Sequence, residues 1–324
     1  MQHNTPKNSL NSSLKTLRIV TRKSALALWQ ANFVKDKLQA LYPDLEIILI
    51  GVTTEGDQIL DVPLTKMGGK GLFVKALEEH LLNHTADIAV HSIKDMPAAL
   101  PDGLTLTAIL EREDPSDAFI SLQYPSLEAL PPQATIGTSS LRRQAQLYAL
   151  RRDLTIKMLR GNIDTRVQKL DNNEYDAIIL ATAGLKRLGL AHRITQSFST
   201  TDSTTNMLPA VGQGALGIEC RITDAEIRHL IMPLHHTPTA QCVLAERNMN
   251  ALLGGSCQSP VAGLAVINDD GLLKLEGMVA TPDGQTILKA WAIGNPEAML
   301  MVGKQVAEQL LEQGAEDIIK VAFG

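Results

Sequence analysis

The segment GTSSLRRQ (137–144) places hydroxyls and arginines where a predicted strand gives way to a predicted helix. Free backbone N–H groups at a helix N-terminus attract anions, and the guanidinium forks of Arg142 and Arg143 suit carboxylates. A plain helix cap followed by a solvated charged turn is the alternative. Because the two arginines are adjacent, we favour an anion site.

Other cationic side chains stand in similar places, near the ends of predicted strands. They are Arg22, Lys94, Arg160, Arg166 and Arg187. Taken alone, each of them could be an ordinary surface residue. However, the carboxyl ends of parallel strands meet at one edge of a sheet, so these cations are expected to lie close together. A chain of net charge −5 that gathers cations there is expected to bind a polyanion. Nothing in the sequence resembles a P-loop, so a nucleotide is not the ligand we expect.

The segment HSIKDMP (91–97) ends a predicted strand and carries a carboxylate, Asp95, beside Lys94. A nearby cation cluster would hold this carboxylate ionised. It could then exchange protons with an amine or stabilise a cation formed during a reaction. Without that context, an aspartate in a turn is the simpler interpretation.

Cys257 lies in LLGGSCQSPVAG (252–263), which is a loop setting for a residue type that is usually buried. Cys220 and Cys242 lie in strand and helix patterns, and we interpret both as core residues. Since no Cys or His partner has zinc spacing and no local motif supplies an activating histidine, we expect neither a metal site nor a hydrolase-type nucleophile. A covalent tether is the chemical role that remains for Cys257.

A long glycine-rich segment, residues 53–73, has little hydrophobic periodicity. Loops of this length in compact domains are often lids or binding loops. Lys66 and Lys70 would add positive charge to such a lid. A disordered excursion is the alternative.

Strand and helix patterns alternate in two successive runs, which predicts two α/β units with mostly parallel sheets and helices on both faces. The strands are predicted at 16–22, 45–54, 87–93, 104–110, 116–122, 135–140, 154–159 and 176–181. Two such units that face each other form a cleft at the carboxyl ends of their strands.

The last third of the chain predicts a smaller α+β unit. A helix at 237–253 precedes three strands separated by NDDG (268–271) and PDGQ (282–285), and a helix at about 296–313 closes the chain. Because those turn signals favour hairpins, the three-stranded sheet is predicted to be antiparallel.

Composition argues against several other classes of protein. With 324 residues and 44 % hydrophobic residues, we expect two or three domains, and the negative net charge does not suit a nucleic-acid binder. Three cysteines do not make a disulfide framework. We find no signal-peptide pattern and no apolar run of bilayer length, so we expect a cytoplasmic protein that binds no membrane, with residues 1–15 as a mobile tail.

Taken together, the segments resemble the porphobilinogen deaminase family, also called hydroxymethylbilane synthase. The matching segments, in the family's order from about residue 17 to the chain end, are TRKSALALWQ, GGKGLFVKALE, HSIKDMP, GTSSLRRQ, LRGNIDTR, AGLKRLGL, LPAVGQGALGIE, AERNMN and GGSCQSP. One such segment is moderately specific, whereas the ordered set is very specific.

The resemblance implies two doubly wound α/β domains like those of periplasmic binding proteins, followed by a small C-terminal α+β domain. The chain would return from the second domain to the first near residues 208–219. The implied boundaries are 16–110 with 208–232 for domain 1, 111–207 for domain 2 and 233–324 for domain 3.

The resemblance also implies a reaction in porphyrin and heme biosynthesis. Four porphobilinogen units would add head to tail, with loss of ammonia, to a dipyrromethane cofactor attached to Cys257 through a thioether. Hydrolysis would then release hydroxymethylbilane. Asp95 would be the catalytic residue that protonates the departing amine and stabilises positive charge on the pyrrole nitrogens. We expect a monomer whose partners are porphobilinogen and the growing polypyrrole chain.

The family's motifs also imply which side chains bind the pyrrole carboxylates. Cofactor contacts would come from Lys94, Ser140, Arg142, Arg143, Arg160 and Arg187. Substrate contacts would come from Arg22, Ser24, Arg160, Arg166 and Arg187, and Lys70 and Phe73 would belong to the lid. The sequence departs from the family pattern at Ser256, which is inserted before the cysteine, and at Ser259, which replaces a valine.

A non-catalytic anion-binding protein with two facing α/β domains is the main alternative. It would leave Cys257 unexplained, and it would make Asp95 a liability beside an anion. A regulatory protein whose cleft binds an effector is a second alternative, although no helix-turn-helix segment is evident to support it.

Overall fold

A computed structural model of the chain describes residues 14–54, 74–200, 206–256 and 259–323. Thirteen strands and nine α-helices lie in these ranges. The strands are β1 (Thr16–Arg22), β2 (Glu46–Val52), β3 (Ile88–Ser92), β4 (Leu104–Ile109), β5 (Asp117–Ile120), β6 (Thr135–Gly137), β7 (Thr155–Lys157), β8 (Ala177–Ala181), β9 (Gln196–Ser197), β10 (Leu216–Arg221), β11 (Val261–Ile267), β12 (Leu273–Ala280) and β13 (Ile287–Gly294). The helices are α1 (Ala25–Leu41), α2 (Lys75–Leu82), α3 (Leu141–Leu150), α4 (Ile163–Asp171), α5 (Thr182–Arg187), α6 (Ala225–Ile231), α7 (Thr237–Leu252), α8 (Met299–Glu312) and α9 (Ala315–Phe323).

The first sheet has the strand order β2-β1-β3-β10-β4. Strands β1, β2 and β3 run parallel, whereas β10 is antiparallel to both of its neighbours. Side chains alternate across β1, so that Leu17 and Ile19 pack with α1 while Val20 packs with Leu77 of α2. Helices therefore cover both faces of the sheet.

The second sheet repeats this plan with the order β7-β6-β8-β5-β9, and β5 is its antiparallel strand. Neighbouring residues of β5 again point to opposite faces. Phe119 packs with Leu147 of α3, and Ala118 packs with Val167 of α4. The predicted α/β class is confirmed for both units, but the antiparallel strand in each sheet was not predicted.

The chain crosses between the two sheets twice, and the crossing segments lie side by side. The Leu110 N–H donates to Leu216 O at 3.0 Å, and the Glu113 N–H donates to Gly214 O at 3.2 Å. Gly214 has φ +89°, and a Cβ there would collide with the Glu113 carbonyl oxygen. Only glycine fits this approach, so the residue fixes how closely the two crossings pack.

The C-terminal unit carries the three-stranded antiparallel sheet that the sequence predicted, in the order β11-β12-β13. Helices α7 and α8 pack on it through residues such as Met249 and Val306. The helix predicted at about 296–313 is confirmed as α8, but it does not close the chain, because Gly314 at φ +96° ends it and α9 follows. Among the described residues, no helix combines the length and apolar character that crossing a membrane requires.

A fully buried carboxylate, Glu246 of α7, joins the C-terminal unit to the crossing segments. Its two oxygens accept bonds from the Arg112 guanidinium at 2.5 and 3.2 Å. They also accept from the Gly212 N–H at 2.7 Å and the Ala265 N–H at 2.8 Å. One side chain therefore fixes both crossings and β11 relative to α7.

We expect Glu246→Gln to lower the free energy of unfolding by about 3–5 kcal/mol, because it leaves the Arg112 charge buried without its partner. The midpoint of urea unfolding measures this loss. Glu308→Gln is the control, since its exposed pair with Lys304, at 3.6 Å, contributes less than about 1 kcal/mol. Equal midpoints for the two variants would show that Glu246 does not hold the units together.

Candidate active site

The two α/β units enclose a cavity of about 370 Å³ between them. Its walls come from the ends of β1, β3 and β8, the loop between β7 and α4, the starts of α1, α4 and α5, and the second crossing segment. This is the carboxyl edge of the parallel strands, where the sequence predicted a cleft.

The cavity lining, within the described residues, carries six cationic side chains and two carboxylates. The cations are Arg22, Lys94, Arg143, Arg160, Arg166 and Arg187, and the carboxylates are Asp95 and Asp164. The fold therefore brings together side chains that are spread over more than half of the sequence.

Neutral acceptors hold several of these cations. Arg166 Nε donates to Gly161 O at 2.7 Å, and Arg187 Nη2 donates to Gly214 O at 2.7 Å. Lys94 Nζ donates to the Gln213 side-chain oxygen at 3.4 Å. A carbonyl oxygen fixes the position of a cation without cancelling its charge, so these groups keep their attraction for an incoming anion.

Burial shifts the pKa values of these cations in one direction. It lowers the pKa of Arg166 and of Arg187 to about 10 each. Burial also lowers the pKa of Lys94 to about 8, with Asp95 opposing that change and Arg143 adding to it. Negative charge entering the cavity would reverse these shifts, so the site favours an anionic ligand.

A buried carboxylate, Asp117, neutralises part of the charge at the inner end of the cavity. Its Oδ1 accepts from Arg143 Nε at 3.0 Å and Nη2 at 2.7 Å, and its Oδ2 lies 2.7 Å from Arg142 Nη1. Burial alone would raise the pKa of Asp117, but the two arginines hold it well below its usual range. One carboxylate thus forms ion pairs with two arginines, so the three side chains together keep a net positive charge.

Three residues that the sequence selected have structural partners of their own. Arg142 does not line the cavity and donates to Leu208 O at 2.6 Å. Ser140 is also absent from the lining and caps α3 by accepting from the Arg143 N–H at 3.4 Å. Ser24 caps α1 in the same way but does line the cavity.

Asp95 ends a short 3₁₀ turn that follows β3, and its side chain is exposed on the cavity wall. No hydrogen bond or ion pair joins its carboxylate to another described residue. The C-terminal unit holds the segment that follows Asp95, because Arg247 Nη2 of α7 donates to Pro97 O at 2.8 Å and to Ala98 O at 3.2 Å. The backbone that follows Asp95 is therefore held in place, and the carboxylate is available to a ligand.

The loop after α7 begins with two glycines that end the helix. Gly254 has φ +67°, and the Gly255 N–H returns to Asn250 O at 2.9 Å. The two serines that depart from the family pattern then bond to each other, since the Ser256 N–H donates to Ser259 Oγ at 2.7 Å. Cys257 itself lies outside the described residues, as do Lys66, Lys70 and Phe73.

The sequence interpretation missed several groups that shape the site. The Arg187 guanidinium lies 5.8 Å from the centre of the Trp29 ring, a contact between the two α/β units. Trp29 lies in the segment TRKSALALWQ, whose residue types give no signal for that contact. Asp117 did carry a signal, because a charged residue inside a buried strand pattern is almost always paired.

Comparisons with known proteins give one family for both parts of the chain. A model described as porphobilinogen deaminase, dipyromethane cofactor binding domain, matches residues 17–229. A second, described as porphobilinogen deaminase, C-terminal domain, matches residues 240–312.

Solved structures of periplasmic proteins are similar to part of the chain. The VFT2 domain of BvgS from Bordetella pertussis is 14 % identical, with a TM-score of 0.42 over 67 % of this chain and 85 % of that one. The methionine binding protein MetQ is 13 % identical, with a TM-score of 0.44 over 72 % and 94 %. A periplasmic substrate-binding protein from Coxiella burnetii is 15 % identical, with a TM-score of 0.40 over 71 % and 94 %. At these scores the likenesses carry no argument about function.

We expect the affinity of the cavity for citrate, a fully ionised polycarboxylate above neutral pH, to fall as pH rises. Lys94 carries its charge below its pKa of about 8 and loses it above, so the affinity falls by up to about tenfold per pH unit there. Calorimetric titration at constant ionic strength measures the slope. Lys94→Gln should flatten it and Lys304→Gln should not; a flat wild-type curve would rule out this role for Lys94.

Proposed function

The chain belongs to the porphobilinogen deaminase family, which makes tetrapyrroles from porphobilinogen and binds dipyrromethane, and from that membership we propose a course for its reaction. Four porphobilinogen molecules condense head to tail, with loss of ammonia, onto dipyrromethane attached to Cys257. Hydrolysis then releases the linear tetrapyrrole hydroxymethylbilane.

The cationic cavity is the observation that carries this proposal. Each pyrrole unit of the substrate bears an acetate and a propionate, so a growing chain accumulates negative charge. Guanidinium groups form paired hydrogen bonds with carboxylates, and in the described part of the chain those of Arg166 and Arg187 hydrogen-bond to carbonyl oxygens and not to carboxylates. The donor set therefore fits a polycarboxylate better than a neutral ligand.

The same donors fit the dipyrromethane group, which when bound supplies the free pyrrole α-carbon at which the chain grows. We assign Lys94, Arg143, Arg160 and Arg187 to its carboxylates, and Arg22, Ser24 and Arg166, with Arg160 and Arg187, to those of the substrate. Contacts from Ser140 and Arg142 stay predictions, because neither side chain lines the cavity. Since all six cations belong to one chain, we propose that the enzyme acts as a monomer.

Asp95 supplies the acid–base chemistry in this proposal. Its carboxylate, which has no hydrogen-bond partner among the described residues, can accept hydrogen bonds from the pyrrole N–H groups and exchange a proton with the departing amine. It can also stabilise the positive charge that develops on the pyrrole as ammonia leaves. A cleft that only bound anions would gain nothing from a carboxylate in its wall.

The position of α7 supports Cys257 as the attachment point. Arg247, which bonds to the segment after Asp95, lies five residues before the helix ends, a rise of only about 8 Å. Cys257 follows five residues later, a span of at most about 18 Å of extended chain. The loop thus starts close to the chain that carries Asp95.

We expect Asp95→Asn to lower kcat by about 10²- to 10⁴-fold, because the amide can neither carry the proton nor balance the pyrrole charge. Steady-state rates of porphobilinogen consumption measure the loss, and an unchanged urea midpoint shows that the fold survives. Asp164→Asn is the matched control, since this second carboxylate of the lining should have little effect on kcat. Similar losses for the two variants would remove Asp95 from its proposed role.

We expect the intact mass of the purified protein to exceed the sequence mass by two linked pyrrole units, and Cys257→Ser to lack that excess. Cys242→Ala is the control, because this thiol is buried in the C-terminal core and should leave the adduct in place. A wild-type protein that gains no adduct even after incubation with porphobilinogen would contradict the attachment.

A further inference from the structure

Three titratable side chains form a buried cluster, here called the acid cluster, where α2 packs on the first sheet. They are Glu78 of α2, His91 of β3 and Glu219 of β10. Glu219 is fully buried, and His91 and Glu78 are 6 % and 7 % exposed. None of them lines the main cavity, and the reaction proposed above does not use them.

The cluster has fewer hydrogen bonds than its polar atoms need. His91 Nε2 lies 3.0 Å from Glu219 Oε2. The other Glu219 oxygen and the Oε1 atom of Glu78 are buried without a hydrogen-bond partner in the described structure. An ionised carboxylate oxygen in this situation is costly, and binding a proton is the simplest way to remove the charge.

Glu78 is the carboxylate that holds that proton. Burial raises the pKa of Glu78 to about 7, with Glu219 raising it further and His91 lowering it. Near neutral pH this side chain can therefore both bind and release a proton.

Among the described residues, the elements that pack against α2 offer no cation that binds Glu78. Strand β10 contributes Glu219 and Arg221, but Arg221 bonds to the Leu81 and Ala86 carbonyls and to Asp87 and Asp224. Strand β3 contributes His91, and on β1 the side chain of Arg18 is paired with Asp87. The charge of Arg247 of α7 interacts electrostatically with Glu219, and it is not among the charges that shift the pKa of Glu78.

A small second cavity, of about 60 Å³, connects this cluster with the reaction site. Both His91 and Asp95 line it, and Arg22, Ser24 and Ser92 belong to its walls and to those of the main cavity. Its wall is polar where Gln30 Nε2 donates to Ser92 Oγ at 2.7 Å. The volume holds several water molecules, so water can join the imidazole to the Asp95 carboxylate.

We propose that the buried acid cluster is a proton store that serves Asp95 during each condensation. This inference rests on the proposed function. In each cycle a C–C bond forms, a C–N bond breaks to release ammonia from the ammonium form of the substrate, and the attacked pyrrole α-carbon loses a proton. Asp95 takes that proton and passes it through cavity water to His91. The imidazole gives its Nε2 proton to the glutamates through Glu219, which it contacts at 3.0 Å, and the cluster later returns a proton by the same path to the released ammonia, which leaves as ammonium.

The cluster touches no substrate, so its effect is on proton transfer and not on substrate binding. The acid cluster cannot accept a further proton when Glu78 is already protonated, and Glu78 is protonated below its pKa of about 7. The kcat of the wild-type enzyme should therefore fall as pH drops through about 7, while KM changes little.

The test compares Glu78→Gln with the matched control Glu79→Gln, whose side chain is exposed on the same helix. Infrared spectroscopy of the resting protein should show a protonated carboxyl band that fades as pH rises through about 7 and is missing in Glu78→Gln. In the same variant we expect kcat above pH 7 to fall by about three- to tenfold, the acid limb near pH 7 to disappear, and KM to stay unchanged. The control should match the wild type in every respect.

A second variant, His91→Gln, tests the proposal if the Glu78 variant folds poorly. Its amide keeps a hydrogen-bond donor to Glu219 but cannot relay a proton. We therefore expect it to retain the infrared band and to have a lower kcat. Absence of the band from the wild type, or an unchanged pH profile of kcat in both variants, would contradict the proposal that the acid cluster stores a proton. An inactive wild type that still shows the band would count against the proposed function and leave the store in place.

Discussion

Like charges gathered at one cavity repel each other, and the structure depends on how that repulsion is contained. Asp117 is the main device, since its buried carboxylate binds both Arg142 and Arg143. The remaining cations of known partner are fixed by neutral oxygens, which leave their charge available. A carboxylate beside each arginine would reduce the repulsion further, but it would then compete with the carboxylates of any ligand.

The groups that hold the cations also connect the units. Gln213, buried in the second crossing, accepts from Lys94 and donates to Asp117 at 3.0 Å, so it joins a cation of the first α/β unit to the carboxylate that pairs the arginines of the second. The backbone of the same segment accepts from Arg187 and Arg112. Because Arg112 is in turn bound to Glu246, the charge arrangement and the docking of the C-terminal unit depend on one short stretch of backbone. A change in the angle between the units would therefore move several cations together.

Local patterns predicted much of this site, and the failures have identifiable physical causes. The cavity cations could be predicted because strand-to-helix transitions are local signals and because parallel strands place their ends at a common edge. The antiparallel β10 could not be read from period alone, since its partners β3 and β4 lie more than a hundred residues earlier. Arg142 followed the same local rule as Arg143, yet its guanidinium turns to Leu208 O and Asp117, a choice that tertiary packing makes. The contact of Trp29 with Arg187 likewise exists only once two units are docked.

The partners of the buried carboxylates Asp117 and Glu78 decide the direction in which each pKa moves. Asp117 is ionised because two guanidinium groups oppose the cost of burial. Glu78 is less deeply buried and has no cation bonded to it among the described residues, and burial brings its pKa to about 7. Permanent charge suits the binding of a polyanion, whereas a proton that moves during a reaction needs a group that titrates near the working pH. The chain separates these two requirements in space, with the fixed charges around the large cavity and the titratable acid behind the small one that opens beside Asp95.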